Sequence, residues 1–132
     1  MLFRSGAYGI SGVSVDFRDI EAEANAGDVR AKLALDVFHE TVASYIVKCA
    51  VAMNGIDVIT FEAGVGEKGQ DSRQAICDKL EFLGVELNKE KNQETRDIEA
   101  KISNENSKIQ VYVVPTNEEL MIARETLKEI NK

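Results

Sequence analysis

The run "IDVITFEAGVGEK", residues 56–68, decides how this chain is read. Its first six residues are rich in β-branched types and apolar on both faces, which suits a short strand buried in a parallel or mixed sheet. A G-x-G turn formed by Gly64 and Gly66 follows at once, leaving no room for a long loop. A helical pattern then begins at Asp71, with Gln74 three residues on completing a capping box. Ile76, Leu80 and Leu83 are its inner stripe and Gly84 its stop. The segment therefore reads as strand, glycine turn, helix.

Upstream, residues 28–54 turn helical, with Leu35, Phe38, Val42, Ile46, Cys49 and Met53 recurring at steps of three and four and Gly55 closing the helix. Residues 1–20, "MLFRSGAYGISGVSVDFRDI", are rich in Gly and Ser with no sustained period, and are read as loop with short extended pieces. Downstream, residues 85–107 are polar, with one short strand near "DIEAKIS" and a turn at "NENS". "IQVYVV", residues 109–114, is the second clear strand. Pro115 ends it, and "TNEELMIARETLKEI" opens a last amphipathic helix. Strands alternating with helices predict an α/β fold. There is no internal repeat, linker or low-complexity run.

The bulk numbers fit one domain: 132 residues, 44% hydrophobic and 30% charged. Acidic residues outnumber basic ones by 23 to 16, and the net charge of −7 is spread along the chain. A nucleic-acid reader needs a basic stripe to displace counterions, so nucleic acid is not an expected partner. A single nucleotide is compatible with this charge, because backbone N–H groups and a metal ion hold phosphates without many lysines. No apolar run approaches the roughly 20 residues that span a bilayer, and the basic-then-apolar order of a signal peptide is missing, so no membrane partner and a cytoplasmic location are expected. Cys49 and Cys77 lie outside any C-x-x-C pair and read as reduced core thiols.

In open α/β sheets ligands bind beyond the carboxyl ends of the strands. Gly64 and Gly66 lie there and leave room for close backbone approach to a nucleotide, although a bare G-x-G is more often a plain strand-to-helix turn. After the second strand, Thr116 reads as an N-cap with Glu119 as its capping-box partner. That leaves Glu118 either as a magnesium ligand or as a favourable first-turn acid. "VDFRDI" groups Asp16, Phe17, Arg18 and Asp19, which suit ribose hydroxyls, ring stacking and charge neutralisation, or else a solvated loop with one buried Phe. His39 has no nucleophile at an evident spacing and reads as structural.

"SGAYGISGVSVDFRDIE", "ITFEAGVGEKGQDSR" and "VVPTNEELMIAR" each resemble signature segments of the acetate kinase family, in the family's order, and "RAKLALDVF" and "LEFLGVEL" extend the likeness over essentially the whole chain. The resemblance implies a partial ribonuclease-H-like lobe of the actin-like ATPase type, a mixed sheet flanked by helices, with residues 1–132 forming one incomplete C-terminal, nucleotide-binding domain. It implies transfer of the ATP γ-phosphoryl group to acetate, giving acetyl phosphate and ADP with Mg²⁺. By motif, Asp16, Phe17 and Arg18 match the adenosine segment, and Gly64, Val65, Gly66, Glu67 and Lys68 match the G-[IV]-G-E-N nucleotide loop. Glu118 matches the metal-site Glu of N-E-E. Lys68 stands where the family has Asn, which shifts the expected contact toward phosphate. No catalytic residue is expected in this segment, because the family's acetate pocket lies in its other lobe. The chain alone is therefore expected to be inactive, and to self-associate or pair with a missing N-terminal lobe. The alternative is a non-catalytic binding or assembly module that retains the fold.

Overall fold

The computed structural model describes residues 6–131; the loop expected for residues 1–5 lies outside them. Its sheet has the strand order β1-β3-β2, with β1 at Val58–Phe61, β2 at Ala100–Lys101 and β3 at Gln110–Val113. β1 runs parallel to β3, placing Ile59 opposite Val111 and Phe61 opposite Val113, and β2 pairs antiparallel with β3's other edge. The α/β class and the mixed sheet flanked by helices are as the sequence leads one to expect.

The burial of β1 corrects one expectation. Ile59 and Phe61 are buried but Val58 and Thr60 are exposed, so only alternate side chains are covered. The reason is the placement of the helices. Val42, Ala43, Ile46 and Val47 of α3 (Val29–Ala52) and Ile76 and Cys77 of α5 (Gln70–Asp78) join Ile59, Phe61, Val111 and Val113 in a single cluster. The opposite side chains of β1 face away from it.

Residues 6–20 also differ from expectation. They hold α1 (Gly6–Ser11) and the start of α2 (Phe17–Asn25), not extended loop. Ala7, Ile10, Val13, Ile20 and Ala24 pack with Ala31, Ala34 and Leu35 on the first half of α3, and Arg30 Nε donates to the Ile10 carbonyl at 2.9 Å. Burial against α3 overrides the low propensity of this Gly- and Ser-rich segment. α3 matches its reading closely: Asp28 accepts a hydrogen bond from Ala31 N at 2.7 Å as its N-cap.

Several local readings shift. The G-x-G segment is not an open turn but a six-residue helix, α4 (Ala63–Lys68), entered through Ala63 at φ +58°. α5 is preceded by Gly69, and no side chain caps it. The Asp71–Gln74 capping box does not form, and Gln74 bonds Asp78 one turn on. The stripe residue Leu83 sits beyond α5, in a 3₁₀ turn over Glu81–Leu83. The polar excursion contains α6 (Lys89–Glu94) ahead of β2. The last helix, α7 (Glu118–Ile130), is capped by Asn117, whose side chain accepts from Leu120 N at 3.0 Å. Thr116 and Glu119 therefore make no capping box, because the Thr116 hydroxyl is engaged elsewhere. Cys77 is buried, which pushes its thiol up to about 12, whereas Cys49 is exposed and not the core thiol expected.

Candidate functional site

A cavity of about 540 Å³ opens at the carboxyl end of β1, a volume ordinary for a small-molecule site. Its apolar wall is Phe38 and Val42 of α3 with Ile76 of α5, and its rim is residues 60–66. The two glycines of the rim differ in kind. A Cβ on Gly64 would meet nothing within 4 Å, so this position opens onto free space. A Cβ on Gly66 would lie 3.1 Å from the Phe61 carbonyl carbon, so Gly66 is needed for α4 to close onto the strand it follows.

Arg73 fixes α4 from beneath. It has no exposed surface, and its five N–H donors are all used: Nε to Asn92 Oδ1 at 2.7 Å, Nη1 to the carbonyls of Gly66 and Glu67, and Nη2 to those of Asn92 and Thr95, all within 2.9 Å. Asn92 in turn donates to the Gln70 carbonyl. The nucleotide-loop candidate is thus bolted to α5 and α6 through one guanidinium.

Of the other sequence-derived residues, only Val65 lines this cleft; the rest lie on neighbouring elements. Asp16 caps α2, accepting from Arg18 N at 2.9 Å, and also pairs with the Arg18 side chain, which holds its carboxyl down at about 2. Phe17 stacks edge-on against Phe38, ring centroids 4.5 Å apart, so the Asp16, Phe17 and Arg18 group is brought beside the apolar wall. Val65 lines the cavity. The Glu67 side chain is buried and its Oε1 accepts from Thr116 N at 3.0 Å and Thr116 Oγ1 at 3.1 Å; the Thr116 amide is the main cause of its lowered pKa. The Lys68 ammonium lies 3.5 Å from Asp97, both half exposed. Glu118 is exposed in the first turn of α7, two residues after Thr116.

A model of the acetokinase family matches residues 1–124. The chain belongs to the acetokinase family. It is 52% identical over 129 residues to acetate kinase 2 of Clostridium perfringens and 53% identical over 131 residues to an acetate kinase of Thermotoga petrophila. Each of these alignments covers 98% of this chain and 32% of the relative. Among solved structures, Porphyromonas gingivalis acetate kinase superposes with TM-score 0.87 at 41% identity, over 95% of this chain and 31% of that one. A propionate kinase of Francisella tularensis superposes with TM-score 0.82 at 36% identity, over 92% and 30%. The acetokinase chain described here spans about a third of the length of the relatives it matches.

Magnesium suits the donor set of this acetokinase segment. Among the described residues no three His, Cys, Asp or Glu side chains gather as a metal cluster. Mg²⁺ does not require one, since it is commonly held through one or two carboxylates with substrate phosphates and water completing its shell. A lone exposed Glu118, tied through Thr116 to the cleft, fits that chemistry.

Sequence reasoning missed a polar row at the cleft floor of the acetokinase fold. His39 Nε2 lies 3.0 Å from Ser72 Oγ, which also reaches Glu21 Oε1 at 3.5 Å. The hydroxyl sits between base and acid, so this is not a relay that activates a serine. Burial lowers the His39 pKa, against opposing pull from Asp36, with Lys79 adding to the depression; burial and Asp71 raise that of Glu21. A histidine more easily protonated when unfolded stabilises the fold above about pH 6.5 and loses that contribution as pH falls through its folded pKa. Glu21 has the opposite sign, with its window starting near the ordinary carboxylate range. His39→Gln is expected to remove the acid destabilisation that begins just below pH 6.5, read as the difference between urea midpoints of variant and wild type across pH 5–7.5.

Proposed function

We propose that this chain is the nucleotide-holding part of an acetate kinase, in which ATP donates its γ-phosphoryl group to acetate to give acetyl phosphate and ADP. The observation that carries this reading is the cavity over Gly64 at the carboxyl end of β1, in a chain of this family. Phe38, Val42 and Ile76 offer an apolar surface to a base, and Arg18 and Asp16 stand beside it through the Phe17–Phe38 contact. Gly64 lets backbone approach the phosphates, and Lys68 adds a cation near the end of the same helix. Glu118 would hold Mg²⁺, which when bound neutralises phosphate charge.

The same geometry argues that these residues do not complete the reaction alone. Phosphoryl transfer requires cations around the γ-phosphate. Arg73 is the one cation among the described residues lining the cavity, and its donors are all spent on protein oxygens. The catalytic groups and the acetate site are therefore assigned to a further lobe. On this reading residues 1–132 are a single incomplete domain of a cytoplasmic enzyme that works with such a lobe or as a homo-oligomer. Two features support association: β1 is an edge strand with Val58 exposed, and α7 is exposed along its length, including Leu120, Met121, Ile122, Leu127 and Ile130. These features also favour the second reading, an assembly module without catalysis.

Isothermal titration with ADP and ATP in Mg²⁺, after light scattering has given the assembly state, separates the two. Saturable binding that Glu118→Ala weakens about tenfold in Mg²⁺ supports the nucleotide role, while a stable oligomer that binds neither nucleotide supports the assembly role.

A further inference from the structure

The strap between β3 and α7, residues 114–117, carries Glu118 out from the sheet with little else to hold it. Every residue of α7 is exposed, so the helix does not anchor the strap from its far side. Among the described residues two hydrogen-bonded attachments hold it to the cleft: Val114 N to the Phe61 carbonyl at 3.0 Å, continuing the sheet, and the pair of bonds from Thr116 N and Oγ1 to Glu67 Oε1. Glu67 itself is buried, and its own helix is gripped through the Gly66 and Glu67 carbonyls by Arg73. Thus α4, which rims the cavity, and the acid that would hold Mg²⁺ are joined by one carboxylate.

We propose that Glu67 is a positioning residue, not a nucleotide contact: it couples the nucleotide loop to the metal acid, so that nucleotide and Mg²⁺ bind cooperatively. The inference rests on the nucleotide-site reading given above. A buried carboxylate that accepts from both the amide and the hydroxyl of one residue fixes distance and direction more tightly than either bond alone. Coupling between two ligands is the ratio by which one changes the affinity for the other, and here its path is short and contiguous: α4, Glu67, Thr116, Glu118.

The test titrates ADP into the full chain with Mg²⁺ and again with EDTA, and takes the ratio of the two dissociation constants. Glu67→Ala is expected to cut that ratio about tenfold while leaving the EDTA constant within about twofold of wild type. Thr116→Val, an exposed change that keeps the amide bond, is expected to lose less, and Thr116→Ser to behave as wild type. Equal weakening in Mg²⁺ and EDTA by Glu67→Ala, or an unchanged ratio, would overturn the coupling role. Wild-type chain that binds no ADP would instead overturn the nucleotide-site reading. The tie itself is then decided by amide hydrogen exchange: Thr116 N–H is expected to be protected in wild type and to exchange at least about tenfold faster in Glu67→Ala, with the Ile76 amide unchanged. Equal Thr116 rates in both proteins would overturn the tie.

Discussion

Arg73→Met is expected to lower the unfolding free energy by about 4 kcal/mol, a large share of the roughly 5–15 kcal/mol of an ordinary domain. Methionine fills much of the volume but donates nothing. The carbonyls of Gly66, Glu67, Asn92 and Thr95 and the Asn92 side chain would be left without the guanidinium they share. Each unmatched buried acceptor costs about 1–3 kcal/mol, with relaxation and water entry recovering part of the sum. Arg73→Lys is expected to recover little, because a single ammonium cannot reproduce five donors in a planar fork. Urea unfolding followed by far-UV circular dichroism measures both; a loss under about 1 kcal/mol for Arg73→Met would show that α4 is held some other way.

Gly64→Leu is expected to abolish nucleotide binding, raising the ADP dissociation constant by at least ~100-fold, without unfolding the chain. The new side chain projects into space where a Cβ meets nothing within 4 Å, and leucine is a better helix former than glycine, so stability should change by less than about 1 kcal/mol. Gly69→Ala is the control in the opposite sense. Its Cβ would fall 2.6 Å from the Val65 carbonyl oxygen, forcing α4 and α5 apart at a loss of about 1–3 kcal/mol. Isothermal titration and urea unfolding on both variants separate the effects. A Gly64→Leu protein that binds ADP as wild type does would mean that the cavity over β1 is not where the nucleotide sits.

The parts of this molecule that were legible in the sequence are those in which local pattern and tertiary burial agree. α3, with its Asp28 cap and long 3.6-residue period, is one, and β3, short and β-branched, is another; β1 was legible as a strand but not in its one-sided burial. α1 and α2 were hidden because their glycines mark ends and not loops: Gly6 and Gly12 have φ of +65° and +72° and bracket α1. The spacing of Ile20 and Ala24 after the Asp16 cap was the available signal. The cap of α7 slipped by one residue because Thr116 and Asn117 are both good caps, and the choice depends on a carboxylate 49 residues away. Arg73 was overlooked because a charged residue usually reads as solvated. Yet with Ile76, Cys77 and Leu80 it holds the position of a buried stripe, i, i+3, i+4, i+7. Of the site, the sequence pointed to the glycine segment whose residues 64–66 line the cavity, while the polar row of His39, Ser72 and Glu21 depends on helix packing that no local pattern encodes.

The order of strands in the sheet also constrains how the protein is made. β3 is the central strand, yet among the three it comes last in the chain, and its parallel partner β1 lies 52 positions earlier, Val58 facing Gln110. A nascent chain can form α3 as it leaves the ribosome, but Ile59 and Phe61 have no neighbouring strand until residue 113 has cleared the exit. At about 5–20 residues per second, this leaves an apolar strand and the underside of α3 uncovered for several seconds. That interval, and not the finished fold, is when these apolar faces are most open to wrong pairings.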